Sequence, residues 1–246
     1  MTDAVSLPEA PALSQVERVV DTFIAPSKTF TDVLRSTSWW LPFLILVVLS
    51  YLLAFGIAQK VGWTQLAQNE IHSNPKAEER LANASPAQIA AQEKIMTYSF
   101  KGTFYAAPLV NLLFLALIAV VLWPTINFLF AGKATYGQVF CVLNYAWLPA
   151  SLKSLVALLL LYLGNGADTF TTENMVGSNP GYYIQNAGAL KTFLTSFDIF
   201  NLWMMVVLAI GLAIVARTKR SNGFIAVFGW WLLIVLFKTG MAAVMG

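Results

Sequence analysis

The sequence has little of what a soluble enzyme uses for chemistry. Only 11% of its 246 residues are Asp, Glu, Lys or Arg, against about 25% in an ordinary soluble domain. The single cysteine, Cys141, cannot form an internal disulfide, and the single histidine, His72, cannot build a histidine-rich metal or haem site. This composition excludes a soluble globular enzyme, a disulfide framework and a histidine-rich metal centre.

Apolar residues are abundant instead, at 58% of the chain. A helix needs about 20 apolar residues to cross a bilayer, and five runs are near that length: residues 39–58, 105–130, 139–163, 199–216 and 223–245. We therefore predict an all-α polytopic membrane protein in which residues 39–246 form a bundle of five transmembrane helices. No small-residue cleavage motif precedes the first run, so it is expected to be retained as a span.

The residues before the first span divide into two parts. Residues 1–13 are rich in Pro and Ala and show no periodicity, which predicts a disordered leader. Residues 14–38 show apolar residues at helical spacing behind a capping box formed by Ser14 and Glu17, and Pro26 restarts the pattern. This segment predicts two short amphipathic helices.

We expect these two helices to lie flat in the membrane interface. Phe23 and Phe30 would then point into lipid, while Arg18, Lys28 and Arg35 would face the headgroups. A cytosolic segment packed on the loops is the alternative arrangement.

Two polar stretches and two very short links connect the spans. In the polar loop 59–104, Asn74-Pro75 marks one helix start, and Ser85 with Gln88 marks another that should continue through Lys101 into the second span. The stretch 164–198 carries no ligand-like cluster. The short links, 131–138 and 217–222, force their flanking spans into antiparallel hairpins.

Charge favours an inner-membrane topology with the N-terminus in the cytoplasm and the C-terminus outside. The short links carry four cations and no acid, namely Lys133, Arg217, Lys219 and Arg220. Short loops rich in Lys and Arg face the cytoplasm. These four residues are therefore predicted to form cytoplasmic basic loops that face lipid headgroups.

Five polar residues are predicted to share one layer in the outer half of the bundle: Asn111, Lys153, Asp198, Asn201 and Lys238. Counted from the cytoplasmic ends of their spans at about 1.5 Å per residue, all five lie roughly 22 to 29 Å up. A lysine at that depth needs a partner, for which Asp198 is the expected counter-ion. The layer predicts either an ion pair that fixes helix packing or a site for an anionic ligand such as a lipid phosphate.

Several segments together resemble the Yip (Ypt-interacting protein) family of five-span membrane proteins. They are FIAPSKTF before the first span and GKATYGQ leading into LNYAWLP in the third, with Phe23, Pro26, Phe30, Gly132, Gly137, Tyr145 and Pro149 as the family-like positions. The resemblance implies a cytosolic N-terminus, a five-helix bundle and no catalytic residues. It also implies Rab-type GTPase binding for eukaryotic members.

Two departures make the chain resemble a bacterial-type member. Trp39-Trp40-Leu41-Pro42 stands where eukaryotic members carry an Asp-Leu-Tyr-Gly-Pro-like segment, and Asn144 stands where a Gly often precedes the Tyr. GTPase binding is therefore not carried over to this chain.

Three classes of function are open to a membrane protein of this composition. An intramembrane enzyme needs a nucleophile with a base, paired aspartates or a metal site, and the sequence shows none of these patterns, so no catalytic, metal or cofactor residue is predicted. A small transporter or channel, oligomeric and using the polar layer, is the alternative, supported by Pro124, Pro149, Lys153 and Lys238 in apolar runs. The favoured function is that of a non-catalytic membrane scaffold.

The partners expected of such a scaffold are membrane lipids, including anionic ones, and proteins that the sequence does not identify. Homo-oligomerisation stays open, and no nucleic acid is expected.

Overall fold

The computed structural model describes residues 12–73, 75–82, 84–164, 166–172, 175–184 and 188–245. Most of the expected disordered leader (residues 1–11) and the expected helix cap Asn74 lie outside these ranges. The described residues form ten α-helices and no strand. In chain order they are α1 (Gln15–Ile24), α2 (Pro26–Val33), α3 (Trp40–Lys60), α4 (Trp63–Ser73), α5 (Pro75–Ala82), α6 (Pro86–Pro124), α7 (Tyr136–Leu163), α8 (Ala189–Thr195), α9 (Ile199–Val215) and α10 (Arg220–Met245).

Four of these helices, α3, α6, α7 and α10, are long and apolar enough to cross a membrane. A fifth span results when α8 and α9 count together, because they pass the same test as a pair bent by 54°. By itself α9 has 17 residues, or about 25 Å, which is shorter than a hydrocarbon core of roughly 30 Å. The all-α polytopic prediction is confirmed, with α8 as an addition to the fourth predicted span.

Capping boxes define three helix starts, the first two of which are predicted from the sequence. Ser14 with Glu17, Ser85 with Gln88, and Thr135 with Gln138 each make both reciprocal hydrogen bonds, at the starts of α1, α6 and α7. Helix α6 then runs unbroken for 39 residues, so the helix predicted from Ser85 does continue into the second span. A π-helical turn, Thr125–Leu129, extends α6 to the first short link.

Helix α7 lies at the centre of the bundle and packs against α3, α6 and α9. Every residue from Cys141 to Ala146 is buried. Pro149 is also buried, and α7 continues through it to Leu163. The main hydrophobic core therefore forms around the first half of α7.

The two short links form one closely bonded end of the bundle, which we call the short-loop end. Helix α9 ends in a Schellman motif, in which the Thr218 N–H donates to Ala213 O and the Arg217 N–H donates to Ile214 O, both at 3.0 Å. The Lys133 N–H then donates to Ala216 O at 3.0 Å and joins the first link to the second. These bonds fix the relative positions of the two basic loops.

A close crossing of α9 and α10 predicts a severe effect of a small substitution. A Cβ atom at Gly223 would overlap the carbonyl oxygen of Ala209 and lie 3.0 Å from the Ala213 Cβ. Since neither backbone can move without separating the helices, Gly223→Ala should lower the free energy of unfolding by about 1–3 kcal/mol, measured by thermal unfolding in detergent.

Gly137 provides the matched control, because it also lies in the first turn of a helix after a short link and a Cβ there meets nothing within 4 Å. Gly137→Ala should leave the stability unchanged or raise it by about 0.5–1 kcal/mol. Equal losses from both substitutions would contradict the close crossing.

Candidate functional site

The two N-terminal helices dock onto the bundle, and we call them the N-terminal unit (α1 and α2). Phe30 and Val33 are fully buried among core residues. Phe30 packs beside Gly211 of α9, where an added Cβ would lie 2.9 Å from the Phe30 ring. Phe23 packs edge-on against Trp203, with ring centroids 5.8 Å apart. Aromatic side chains of the N-terminal unit therefore anchor it on α9.

A buried polar network holds α1 to α2. Arg18 is 3% exposed, and its Nε donates to Asp32 Oδ2 at 2.6 Å, while its Nη1 donates to Ser36 O at 2.9 Å. The hydroxyls of Thr22 and Thr29 both donate to Arg18 O. A buried charge is tolerated only when it is paired and hydrogen-bonded, and these contacts meet that requirement.

The same network determines the charge state of Asp32. Burial by itself raises the pKa of this carboxyl, but the hydrogen bond and charge of Arg18, the Leu13 N–H and the charge of Arg35 outweigh burial and hold the pKa below its usual value. Asp32 therefore stays ionised down to unusually low pH and keeps its bond to Arg18.

The predicted flat orientation of the N-terminal segment is wrong for Phe30 and Arg18. Phe30 was expected in lipid and Arg18 among headgroups, but both are buried within the protein. The physical reason is that Asp32 supplies a partner for Arg18, so the polar face of α1 can turn inward. Lys28 is exposed as expected, and Arg35 is 40% exposed and bonded to Asp32.

The exposed side of α1 carries three apolar residues. Val16, Val20 and Ile24 are 66%, 50% and 75% exposed, and their spacing of four residues places them on one face of the helix. We call these three residues the apolar stripe. Val19 packs against the core and Glu17 is exposed, but burying Arg18 while Val16, Val20 and Ile24 face outward departs from the usual order of a helix in water. The stripe is therefore suited to a non-aqueous neighbour.

The basic loops lie at the same end of the molecule as the N-terminal unit. Lys133, Arg217, Lys219 and Arg220 are all exposed. The Arg220 Nη2 donates to Ser27 Oγ at 3.2 Å and so connects the second loop to the start of α2. The structure thus joins the four predicted cations and the N-terminal unit into one surface, which we call the basic surface.

The family-like positions gather around this docking region. Tyr145 is fully buried, and its hydroxyl lies 3.0 Å from Gln15 Oε1 and 3.2 Å from Ser38 O, at the two ends of the N-terminal segment. Pro26 is the first residue of α2. Gly132 has no room for a side chain, because a Cβ would lie 2.8 Å from Ile126 O, whereas Gly137 has open space.

Four residues of the predicted polar layer lie together around one ion pair and one cavity, and the fifth, Lys238, lies apart from them. Lys153 Nζ donates to Asp198 Oδ2 at 2.8 Å. Asn111, Lys153 and Asn201 line one cavity of about 380 Å³ among α3, α6, α7 and α9, which we call the polar cavity. Lys238 is exposed on α10 and does not line this cavity. Its predicted place in a buried layer is wrong, because counting residues fixes the height of a side chain but not the side of the bundle that it faces.

Some structurally important residues gave no signal in the sequence. Asn127 Nδ2 donates to Ala134 O at 2.8 Å and its Oδ1 accepts from Ala134 N–H at 3.0 Å, which closes the first short link. Ser178, in a stretch without apparent ligands, donates its hydroxyl to Asp198 Oδ2. Among the residues that the structure describes, no group of three or more His, Cys, Asp or Glu side chains is placed to hold a metal ion.

Comparisons with known proteins agree with this architecture. The Yip1 domain family model matches residues 20–241. A relative described as "Membrane protein YknW", from Bacillus subtilis (strain 168), is 23% identical over 215 residues, which cover 87% of this chain and 82% of the relative. No solved structure matches the chain.

Proposed function

Because this chain belongs to the Yip1 domain family of membrane proteins, we propose that it is a non-catalytic membrane scaffold that organises anionic lipid at its short-loop end. The N-terminal unit and the basic loops supply the contact surface. The N-terminus and both short loops face the cytoplasm of an inner membrane in this proposal, and the C-terminus faces outward.

The reversed polarity of α1 is the observation that carries the proposal. Arg18 and Thr22 are buried against the protein, the apolar stripe faces outward, and Glu17 is exposed beside it. The stripe itself is stabilised by acyl chains better than by water. Fully burying a Val or Ile side chain contributes about 1.5–3 kcal/mol. Three partly exposed side chains therefore give this short helix a substantial preference for the lipid interface.

Charge supports lipid headgroups as the neighbours of the loops. The four exposed cations lie next to a helix whose outer face suits acyl chains, and a basic side chain near an anionic membrane surface contributes about 1 kcal/mol. A surface that combines apolar and basic contacts holds anionic lipids at a fixed place relative to the bundle, without a chemical step.

Neutralising two of the loop cations tests the proposal. Lys133→Gln with Lys219→Gln removes about 2 kcal/mol of attraction, so association of headgroup-labelled phosphatidylglycerol should weaken about thirtyfold, since each 1.4 kcal/mol is a factor of ten. The measurement is energy transfer from a label on the protein to the lipid in vesicles. Phosphatidylcholine association should not change.

The matched control neutralises two exposed lysines of α6, with Lys94→Gln and Lys101→Gln. This pair lies on α6, outside the basic surface, and its loss should change phosphatidylglycerol association less than about twofold. High salt should reproduce the loop variant. Equal effects of the two double variants, or no effect of salt, would contradict the proposed role of the loops.

A small oligomeric transporter or channel is the second candidate, and the polar cavity is the observation that favours it. Ionisable groups at depth often mark a transport pathway. Solute flux into vesicles that contain the purified protein, abolished by filling the cavity, would support this function over a scaffold.

A further inference from the structure

The polar cavity has a mixed wall in which polar groups interrupt an apolar surface. Its volume of about 380 Å³ falls within the range of about 300–1,000 Å³ that is typical of small-molecule sites. The apolar part of the wall includes Phe43, Leu46, Leu53, Phe104 and Trp147, and the polar part consists of Ser50, Asn111, Ser151, Lys153, Ser154 and Asn201.

The Lys153–Asp198 pair leaves donors free but no acceptors. Asp198 Oδ2 accepts from Lys153 and Ser178, and Oδ1 accepts the N–H groups of Phe200 and Asn201. The carboxylate is therefore saturated. An ammonium group has three N–H donors, and only the one given to Asp198 is used within the described residues. Lys153 is 20% exposed and lines the cavity, so it can offer the remaining donors to a bound group.

Two amide side chains in the wall also lack partners. Neither the Asn111 nor the Asn201 side chain hydrogen-bonds to any other part of the described structure. Asn111 is half-buried and Asn201 is exposed, so both amides are accessible to a molecule that enters the cavity. Asn111 of α6 and Asn201 of α9 thus extend the set of unused polar groups beyond Lys153 to two further helices.

We propose that the polar cavity binds the phosphate ester group of an amphiphile. The free donors of Lys153 hold a phosphate oxygen, the amides of Asn111 and Asn201 bind neighbouring ester oxygens, and the aromatic and aliphatic wall holds the start of the acyl chains. A membrane phospholipid and a soluble phosphate ester share this chemistry, and an experiment can distinguish them. The proposal concerns a site separate from the basic surface, so each can fail without the other.

The test uses full-length protein in mild detergent, titrated with four probes: short-chain phosphatidylglycerol, short-chain phosphatidylcholine, diacylglycerol and glycerol phosphate. Bound molecules are counted by native mass spectrometry. Both phospholipids should fill one shared site, in addition to any phosphatidylglycerol held by the basic surface, and diacylglycerol, which lacks the phosphate, should bind that site at least about tenfold more weakly. Tight binding of glycerol phosphate would assign the site to a soluble phosphate ester, and weak binding would assign it to a lipid.

The site variant is Asn111→Leu with Ser154→Leu, which removes polar groups from the cavity and fills it while leaving the Lys153–Asp198 pair intact. It should lose phospholipid binding at least about tenfold. Lys238→Met, which removes an exposed lysine of α10 outside the cavity, should bind as the unmodified protein does.

A milder variant keeps the test decisive if the double variant does not fold. Ser154→Cys in a Cys141→Ser background should react with a maleimide at least about fivefold more slowly once phospholipid is added. Lys238→Cys in the same background should show no such protection. Diacylglycerol binding as tight as that of phospholipid, or an absence of protection at position 154, would overturn the proposal.

Discussion

Phe30→Ala is expected to lower the free energy of unfolding by about 3–5 kcal/mol, as is typical of a fully buried phenylalanine. Phe30 has no exposed surface and packs beside Gly211 and within the core that α7 and α9 share. Its loss leaves a cavity that the helices cannot close. Unfolding in detergent measures the free energy, and limited proteolysis should show faster cleavage between α1 and α3.

The matched control is Phe128→Ala, because Phe128 is 81% exposed on the π-helical turn that follows α6. This change should alter the stability in detergent by less than about 0.5 kcal/mol. If Phe30→Ala is as mild as Phe128→Ala, the N-terminal unit is not docked on α9.

Arg18→Met is expected to cost about 3–5 kcal/mol, because removing one partner of a buried ion pair leaves the other charge uncompensated. Arg35 remains beside Asp32 at the surface, but it does not replace the bonds that Arg18 makes to Ser36 O and Asp32. The double variant Arg18→Met with Asp32→Leu should recover most of the loss, since an apolar pair needs no partner. Lys28→Met, at an exposed position of α2, should have little effect on unfolding in detergent.

The same pair predicts how stability depends on pH. The pKa of Asp32 is lowered in the folded protein, so its contribution is fully present above the pKa of an unfolded aspartate, about 3.9. The contribution is lost as pH falls through the lower, folded pKa. Docking of the N-terminal unit should therefore be unchanged from pH 7 to about 5 and weaken below about 4. The Arg18→Met, Asp32→Leu variant should lack this acid-induced weakening, and an identical acid response would contradict the role of Asp32.

Much of the fold follows from local signals in the sequence. Long apolar runs locate the helices, and Ser14 and Ser85 locate helix starts, because these features depend only on neighbouring residues. The bend between α8 and α9 does not follow in this way. Asp198 caps α9 directly, and this cap separates a short helix from the run that the sequence predicts as one span.

Only part of the candidate site follows from the sequence, because side-chain direction depends on packing between helices. Charge and residue count led to Lys153 with Asp198, which the structure places in contact. The rotation of each helix about its axis depends on packing. As a result Lys238 lies outside the polar cavity and Arg18 is buried in the protein. The pairing of Arg18 with Asp32 joins residues on two different helices, so no periodicity within one helix could reveal it.

Lipid exposure of the apolar stripe is the most direct test of the central claim, that α1 docks with its polar face inward and its apolar face on the membrane. Nitroxide labels are placed by Val20→Cys on the stripe and Thr31→Cys on the exposed surface of α2, each in a Cys141→Ser background, in protein reconstituted in phosphatidylglycerol vesicles. The account predicts that the label at position 20 is accessible to oxygen dissolved in lipid and protected from a water-soluble relaxation agent, while the label at position 31 shows more water access. Equal, full water accessibility at both positions would contradict it.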